Sequence, residues 1–192
     1  MATIPATHGG HNAFVMMSAL QKHIRRGEEA QAAYAAFQFL MTDNATLRGM
    51  LMNRLIIISH EDIGMASPTC ILVVATAVDQ ARAFIRAKKV GAAKLCVANV
   101  VMMMCRSLKS RSADHMQAVY AEGPIHAPEL ETSKYEVPDY VYDQHTTKGR
   151  KLNRGLEHFR TESTKLVPAP ASPCPYEDSA FKVWAAKRET GA

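Results

Sequence analysis

Three things are missing from this 192-residue chain: a cysteine pair at CxxC spacing, an unbroken apolar run of membrane length, and an Asn-Gly or Asp-Gly hairpin turn. Its four cysteines, Cys70, Cys96, Cys105 and Cys174, are irregularly spaced, which argues against a structural zinc site. The first three lie in apolar segments and read as small core residues in a reducing compartment. A bilayer span needs roughly 20 apolar residues. The longest candidate, Cys70 to Val78, is interrupted by Asp79 and Arg82. The start, "MATIPATHGGHN", has neither the basic n-region and apolar h-region of a secretory signal nor the arginines of a transit peptide. The expectation is an intracellular protein with no membrane partner.

What is present suits a core-forming domain. Hydrophobic residues make up 47% and charged residues 21%, with a mean hydropathy of -0.14. The net charge of +5 is uneven: residues 1–120 carry a balance of +6 and residues 121–192 of −1. The first two thirds could therefore meet a polyanion, although the excess is modest.

Hydrophobic spacing is helical almost everywhere up to Tyr120. "HNAFVMMSALQKHIRRG" places Phe14, Met17 and Leu20 on one face, flanked by Val15 and Ile24, with Gly27 as the stop. "EEAQAAYAAFQFLM" has a stripe of Ala33, Phe37, Leu40 and Met41. After a turn at Asp43-Asn44, Leu47, Leu51, Leu55 and Ile58 share a face. Ser67-Pro68 reads as cap and first residue of a helix reaching about Lys88, and Gly91 separates it from the next. "DHMQAVY" forms a last short helix. "IIIS" and "CILVV" could be buried strands, but the long helical period around them favours an all-α fold. Short connections predict an antiparallel helical array or bundle. The expected divisions are a helical domain at 11–121, an extended strap with a basic segment at 122–166, and a Pro-rich linker with a short terminal helix at 167–192.

Within the helical part, "RLIIISHEDIGMASP" drives an apolar run into His60, Glu61 and Asp62. It resembles the "R-L-[IV]-x-x-[AS]-x-E-D-I-G-x-A-[DS]-P" signature of the replication-associated recombination ATPases, RarA/MgsA and the Werner-helicase-interacting relative. Here the matching positions are Arg54, Leu55, Ser59, Glu61, Asp62, Ile63, Gly64, Ala66 and Pro68. "MSALQKHIRRGEEAQAAYAAFQFL" and "AKLCVANVVMMMCRSLKS" resemble helices on either side of that signature. "NRGLEHF" at 153–159 is similar to a segment near the family's C-terminus. The family's ATPase module lies upstream of this helical region. This sequence holds no GxxxxGK[ST] loop, whose backbone N–H groups and Lys would cradle phosphates. The resemblance thus implies an all-α counterpart of the family's helical collar, the part that makes homotetramers, without ATPase activity of its own.

Three adjacent titratable residues on a helix point about 100° apart, so His60, Glu61 and Asp62 cannot share one metal ion. The expected role of Glu61 and Asp62 is structural: accepting hydrogen bonds from a neighbouring helix N-terminus and from an arginine such as Arg54. The methionines of "VVMMMC" face different directions and read as core filler. Two basic sets are candidates for phosphate contact: Arg82, Arg86, Lys88, Lys89 and Lys94, and Lys148, Arg150, Lys151, Arg154 and Arg160.

These readings describe a non-enzymatic, cofactor-free scaffold or adaptor. It would self-associate as a dimer or tetramer and partner DNA or a separate replication-repair ATPase. Two alternatives are a metal-dependent hydrolase using His60, Glu61 and His115, and a purely structural assembly protein.

Overall fold

The computed structural model describes residues 5–122 and 136–189. The chain divides into two compact units, Met1–Ala127 and Pro128–Ala192. Among the described residues all regular structure is helical, apart from an isolated antiparallel bridge between Ala6 and Asn12. The fold is an all-α helical array.

The first unit holds α1 (Ala13–Arg26), α2 (Glu29–Met41), α3 (Ala45–Ile58), α4 (Pro68–Arg86), α5 (Val90–Arg106) and α6 (Ser112–Gln117). Local chemistry sets most of the ends. Asn12 caps α1 by accepting from the backbone N–H groups of Phe14 and Val15 at 2.9 and 3.2 Å. Gly27 ends it at φ +75°, where a side chain would be strained. Asn44 accepts from Leu47 N–H at 3.0 Å to open α3, and Pro68 occupies the first position of α4. Ser67 flanks Pro68, but its side chain makes no cap bond.

Helix α4 packs along α5, α1 along α2, and α2 against α5. The fully buried core runs through them: Leu20 and Ile24 of α1, Phe39 and Leu40 of α2, Leu47, Leu51, Leu55 and Ile58 of α3, Val74 of α4 and Met104 of α5. Before α1, Gly9 N–H donates to Gln38 Oε1 at 2.6 Å, tying the leading loop to α2.

Several expected faces and ends differ. Phe14 and Val15 are 60% and 63% exposed, while Ala13, Met16, Met17, Leu20 and Ile24 face inward. The wheel of α1 is turned so that the large residues of its first turn point out. Met41 is likewise exposed at the end of α2. Gly91 lies inside α5; the break falls at Lys88, whose φ of +59° reverses the chain. In the methionine run Met104 is buried and Met102 exposed, so consecutive side chains do diverge.

Helix α4 continues through Asp79 and Arg82, which pair at 3.0 Å on its surface. At 19 residues it is long and apolar enough to cross a bilayer by length and composition, contrary to the expectation that no segment is. Its inward residues Cys70, Val74, Val78 and Ala81 are core positions of this unit.

In the second unit a 3₁₀ turn (Asp139–Val141) precedes α7 (Thr147–Lys151), α8 (Leu156–His158) and α9 (Glu177–Glu189). A wider π turn at Phe159–Ser163 extends α8. Arg154 braces the 3₁₀ turn, reaching both Asp139 carboxylate oxygens at 2.7 and 2.6 Å and the carbonyls of Asp139 and Tyr142. Thr146 caps α7 through Gly149 N–H at 3.0 Å. A Cβ on Gly149 would sit 1.8 Å from the Asp143 carbonyl oxygen, so only glycine fits there. Phe181 of α9 is buried against Phe159, and the proline segment 168–175 is exposed. Residues 123–135, the greater part of the expected extended strap, lie outside the described residues.

Candidate functional site

The signature closes α3 with a change of helical pitch. Residues Ser59–Ile63 form a π turn, and Gly64 follows at φ +51° with its N–H donating to Ser59 O. The wider turn swings Asp62 inward while His60 stays exposed. A Cβ on Gly64 would lie 3.0 Å from the Ser110 carbonyl oxygen, so glycine permits both the turn and the approach of the segment after α5.

The Asp62 carboxylate is wholly buried and fully engaged. Arg25 Nε donates to its Oδ1 at 2.6 Å and Gln21 Nε2 to its Oδ2 at 3.0 Å. Arg111 Nε stands 3.6 Å from Oδ1, and the Asp62 carbonyl accepts from Ser110 N–H at 3.0 Å. Glu61 Oε1 takes one donor from Arg25 and one from Arg111, each at 3.2 Å. Arg111 also pairs with Asp114. Arg54 completes the chain by donating to Gln21 Oε1 at 3.2 Å. Three parts of the fold, α1, the end of α3 and the start of α6, are thereby fastened at one point. The bond to Asp62 raises the pKa of Arg25, keeping its guanidinium charged.

The acidic pair bonds to side chains of neighbouring helical elements, but with different partners from those expected. Its donors are side chains of Gln21, Arg25 and Arg111, not a helix N-terminus. Arg54 acts one step removed, through Gln21. Sequence reading missed Gln21, Arg25, Arg111 and Asp114. Arg25 lay within the resembling "MSALQKHIRRG" and Arg111 directly after "LKS", but nothing local marks either as the partner of an acid 36 to 50 positions away. Ser59 Oγ is turned back onto the Ile56 carbonyl at 2.7 Å, and Pro68 starts α4; neither joins the network.

A cleft of about 260 Å³ beside the network is lined by Ile56, Ile57, His60, Glu61, Asp114 and Gln117, among others. His115 is absent from that lining, and among the described residues no three His, Cys, Asp or Glu side chains gather to hold a metal. Glu61 and Asp114 already pair with Arg111, and Glu61 with Arg25 as well.

The basic candidates are scattered over both units. Arg82 is tied to Asp79 and to Asn53 Oδ1 at 2.7 Å, whereas Arg86, Lys88 and Lys89 are exposed at the end of α4. Lys94 is exposed on α5. In the second unit Lys148 lies 3.8 Å over the Tyr142 ring, and Arg150 and Lys151 are exposed. Arg154 is consumed internally by Asp139, and Arg160 pairs with Asp178.

The described residues thus define an all-α helical domain whose elements meet at an ion-pair network centred on the buried Asp62. A family model described as "MgsA AAA+ ATPase C terminal" matches residues 28–172, and the chain belongs to that family. It is also 32% identical over 149 residues to "Replication-associated recombination protein A" of Bacillus subtilis (strain 168), a match covering 74% of this chain. That match spans 31% of the Bacillus protein's length. The matched region is the C-terminal helical domain of an AAA+ ATPase, not its ATPase module.

Proposed function

We propose that this chain is a non-catalytic, self-associating module that acts as a scaffold for replication-associated DNA transactions inside the cell, as a dimer or tetramer. The observation that carries the reading is the uncovered side of the α4–α5 pair. On α4, Thr69, Leu72, Val73, Thr76 and Ala83 recur at helical spacing and are exposed, Leu72 at 70%. On α5, Leu95 and Met102 are exposed as well. A helix apolar on both its inner and outer faces is built to be buried on more than one side. Closed symmetry would cover this surface with its own copy, and a stable interface needs roughly 1,600 Å² of total buried area.

The name of the Bacillus relative supports the setting in replication and recombination. Among the candidate cations, Arg86, Lys88, Lys89, Lys94, Lys148, Arg150 and Lys151 are exposed and could meet DNA phosphates; Arg154 is too committed to Asp139. An ATPase is the expected protein partner, because the matching family model is the C-terminal part of an AAA+ ATPase.

Light scattering at micromolar concentration should return at least twice the 21.1 kDa chain mass, unchanged by moderate salt. Leu72→Glu combined with Leu95→Glu should reduce it to one chain without loss of helicity. A monomeric wild type would refute the reading.

A further inference from the structure

The second unit carries an aromatic cluster that its small fold does not cover. Phe159, Phe181 and Trp184 meet with ring centroids 5.0 to 6.4 Å apart, and the His145 ring stands 4.9 Å from Phe159. Phe181 is buried, but Trp184 keeps 43% of its surface exposed. Every ring contact in the cluster is perpendicular or tilted, so no ring is engaged in a parallel stack by the protein itself. Beside these rings opens a pocket of about 340 Å³, at the small end of ligand-sized cavities. Leu156, Phe159, Trp184 and His145 form its apolar wall, and Gln144 and Arg188 are among its polar groups.

Among the described residues no carboxylate lines the pocket, while Lys187 and Arg188 do. Arg188 is held over the mouth by Gln144 Oε1. Arg150 reaches the same loop from α7, donating to the His145 carbonyl at 3.2 Å. It also donates through Nη1 to the Gln144 carbonyl at 3.5 Å and through Nη2 to Thr147 Oγ1 at 3.4 Å, all neutral acceptors that leave its charge without a carboxylate. Asp143, next to Gln144 in the chain, is occupied by His145, which donates through its backbone N–H and lies 3.0 Å away through Nδ1. One guanidinium, that of Arg188, lines the aromatic slot, and a second, that of Arg150, lies against the backbone of two of its lining residues. A flat, π-rich group with an anion on either side satisfies both features, and that is a nucleotide within a strand.

We propose that this pocket seats one base of a single-stranded nucleic acid against Trp184, with Arg188 and Arg150 taking the phosphates on its two sides. The proposal rests on the nucleic-acid part of the function proposed above and gives it a location and a strand type. An acidic peptide would meet the cations but leave the ring face without a stacking partner. A free nucleotide would use the ring and only one of the cation positions.

Trp184 is the single tryptophan of the chain, so the site reports on itself. The full chain is titrated with unlabelled oligodeoxythymidine while Trp fluorescence is followed, and binding is measured separately by anisotropy of a labelled strand. Expected is saturable quenching over the same concentration range as the anisotropy change. Trp184→Ala should weaken binding roughly tenfold or more, and Trp184→Phe should weaken it less. An abasic strand of equal length should lose a similar factor and leave the fluorescence unchanged. Circular dichroism of both variants checks that α9 is intact; if Trp184→Ala unfolds it, Trp184→Phe and the abasic strand decide. Binding by anisotropy without quenching, or unaltered binding by both variants, would overturn the pocket while leaving DNA contact elsewhere standing. Absence of any binding would overturn both. Thymidine monophosphate binding as tightly as the strand would overturn the strand assignment.

Discussion

Asp62→Ala is the sharpest test of the helix lock. The substitution removes a carboxylate with no solvent exposure that accepts from Arg25 at 2.6 Å and Gln21 at 3.0 Å, with Arg111 Nε 3.6 Å away. Removing one member of a fully buried ion pair costs about 3–5 kcal/mol, because the other charge is stranded. Here the stranded groups are not fully buried: the Arg25 and Arg111 side chains are 34% and 38% exposed, and both still reach Glu61. They can rehydrate in part, which lowers the expected loss to about 2–4 kcal/mol. For a unit of this size that corresponds to a fall in thermal midpoint of roughly 10 °C. Arg25→Ala alone should cost less, since Asp62 keeps Gln21 and Arg111. The double variant Asp62→Ala, Arg25→Ala should be less destabilised than the sum of the two by about 1–2 kcal/mol. Urea denaturation followed by circular dichroism reads all three. A midpoint for Asp62→Ala within about 2 °C of wild type, or strict additivity in the double variant, would refute the lock and return Asp62 to the list of functional candidates.

Gly64→Ala must accept φ +51° and push a methyl against the Ser110 carbonyl, so a loss of about 1–3 kcal/mol is expected in the same denaturation assay. The second unit should be acid-sensitive. The Arg154 guanidinium holds Asp139 below the ordinary value of 3.8, and hydrogen bonds from His145 do the same for Asp143. Lowered carboxylate pKa values stabilise above the unfolded value and lose that contribution as pH falls through the folded ones, so Trp184 fluorescence should begin to change below about pH 4. Arg154→Ala should flatten that dependence by returning Asp139 towards its ordinary value. Thiol labelling at neutral pH should mark Cys174 quickly. Cys105, buried and with its thiol pushed up to about 11 by desolvation, should react only on unfolding; labelling of native Cys105 at a rate matching Cys174 would contradict its burial.

The sequence by itself determined where most helices begin and end, because those signals act over a few residues. Asn12 and Asn44 cap the helices that follow them, Gly27 stops one and Pro68 starts another, and none needs a distant partner to do so. The same locality made the leucine stripe of α3 legible, since all of Leu47, Leu51, Leu55 and Ile58 face the core. The signature around Glu61 and Asp62 was equally visible as a motif, and with it the family. Only the tertiary structure decided what the motif does. Its partners Gln21, Arg25 and Arg111 are 36 to 50 residues away along the chain, and a charge of correct sign at that separation is indistinguishable from any surface arginine until packing brings it near. Packing also chose Met16 over Phe14 for the interior of α1, because a periodic pattern fixes the angle between residues but not which way the wheel is turned. The pocket beside Trp184 was invisible for the same reason. His145, Phe159 and Trp184 become neighbours only when the segment carrying Trp184, 25 residues past Phe159 and beyond four prolines, folds back to close it.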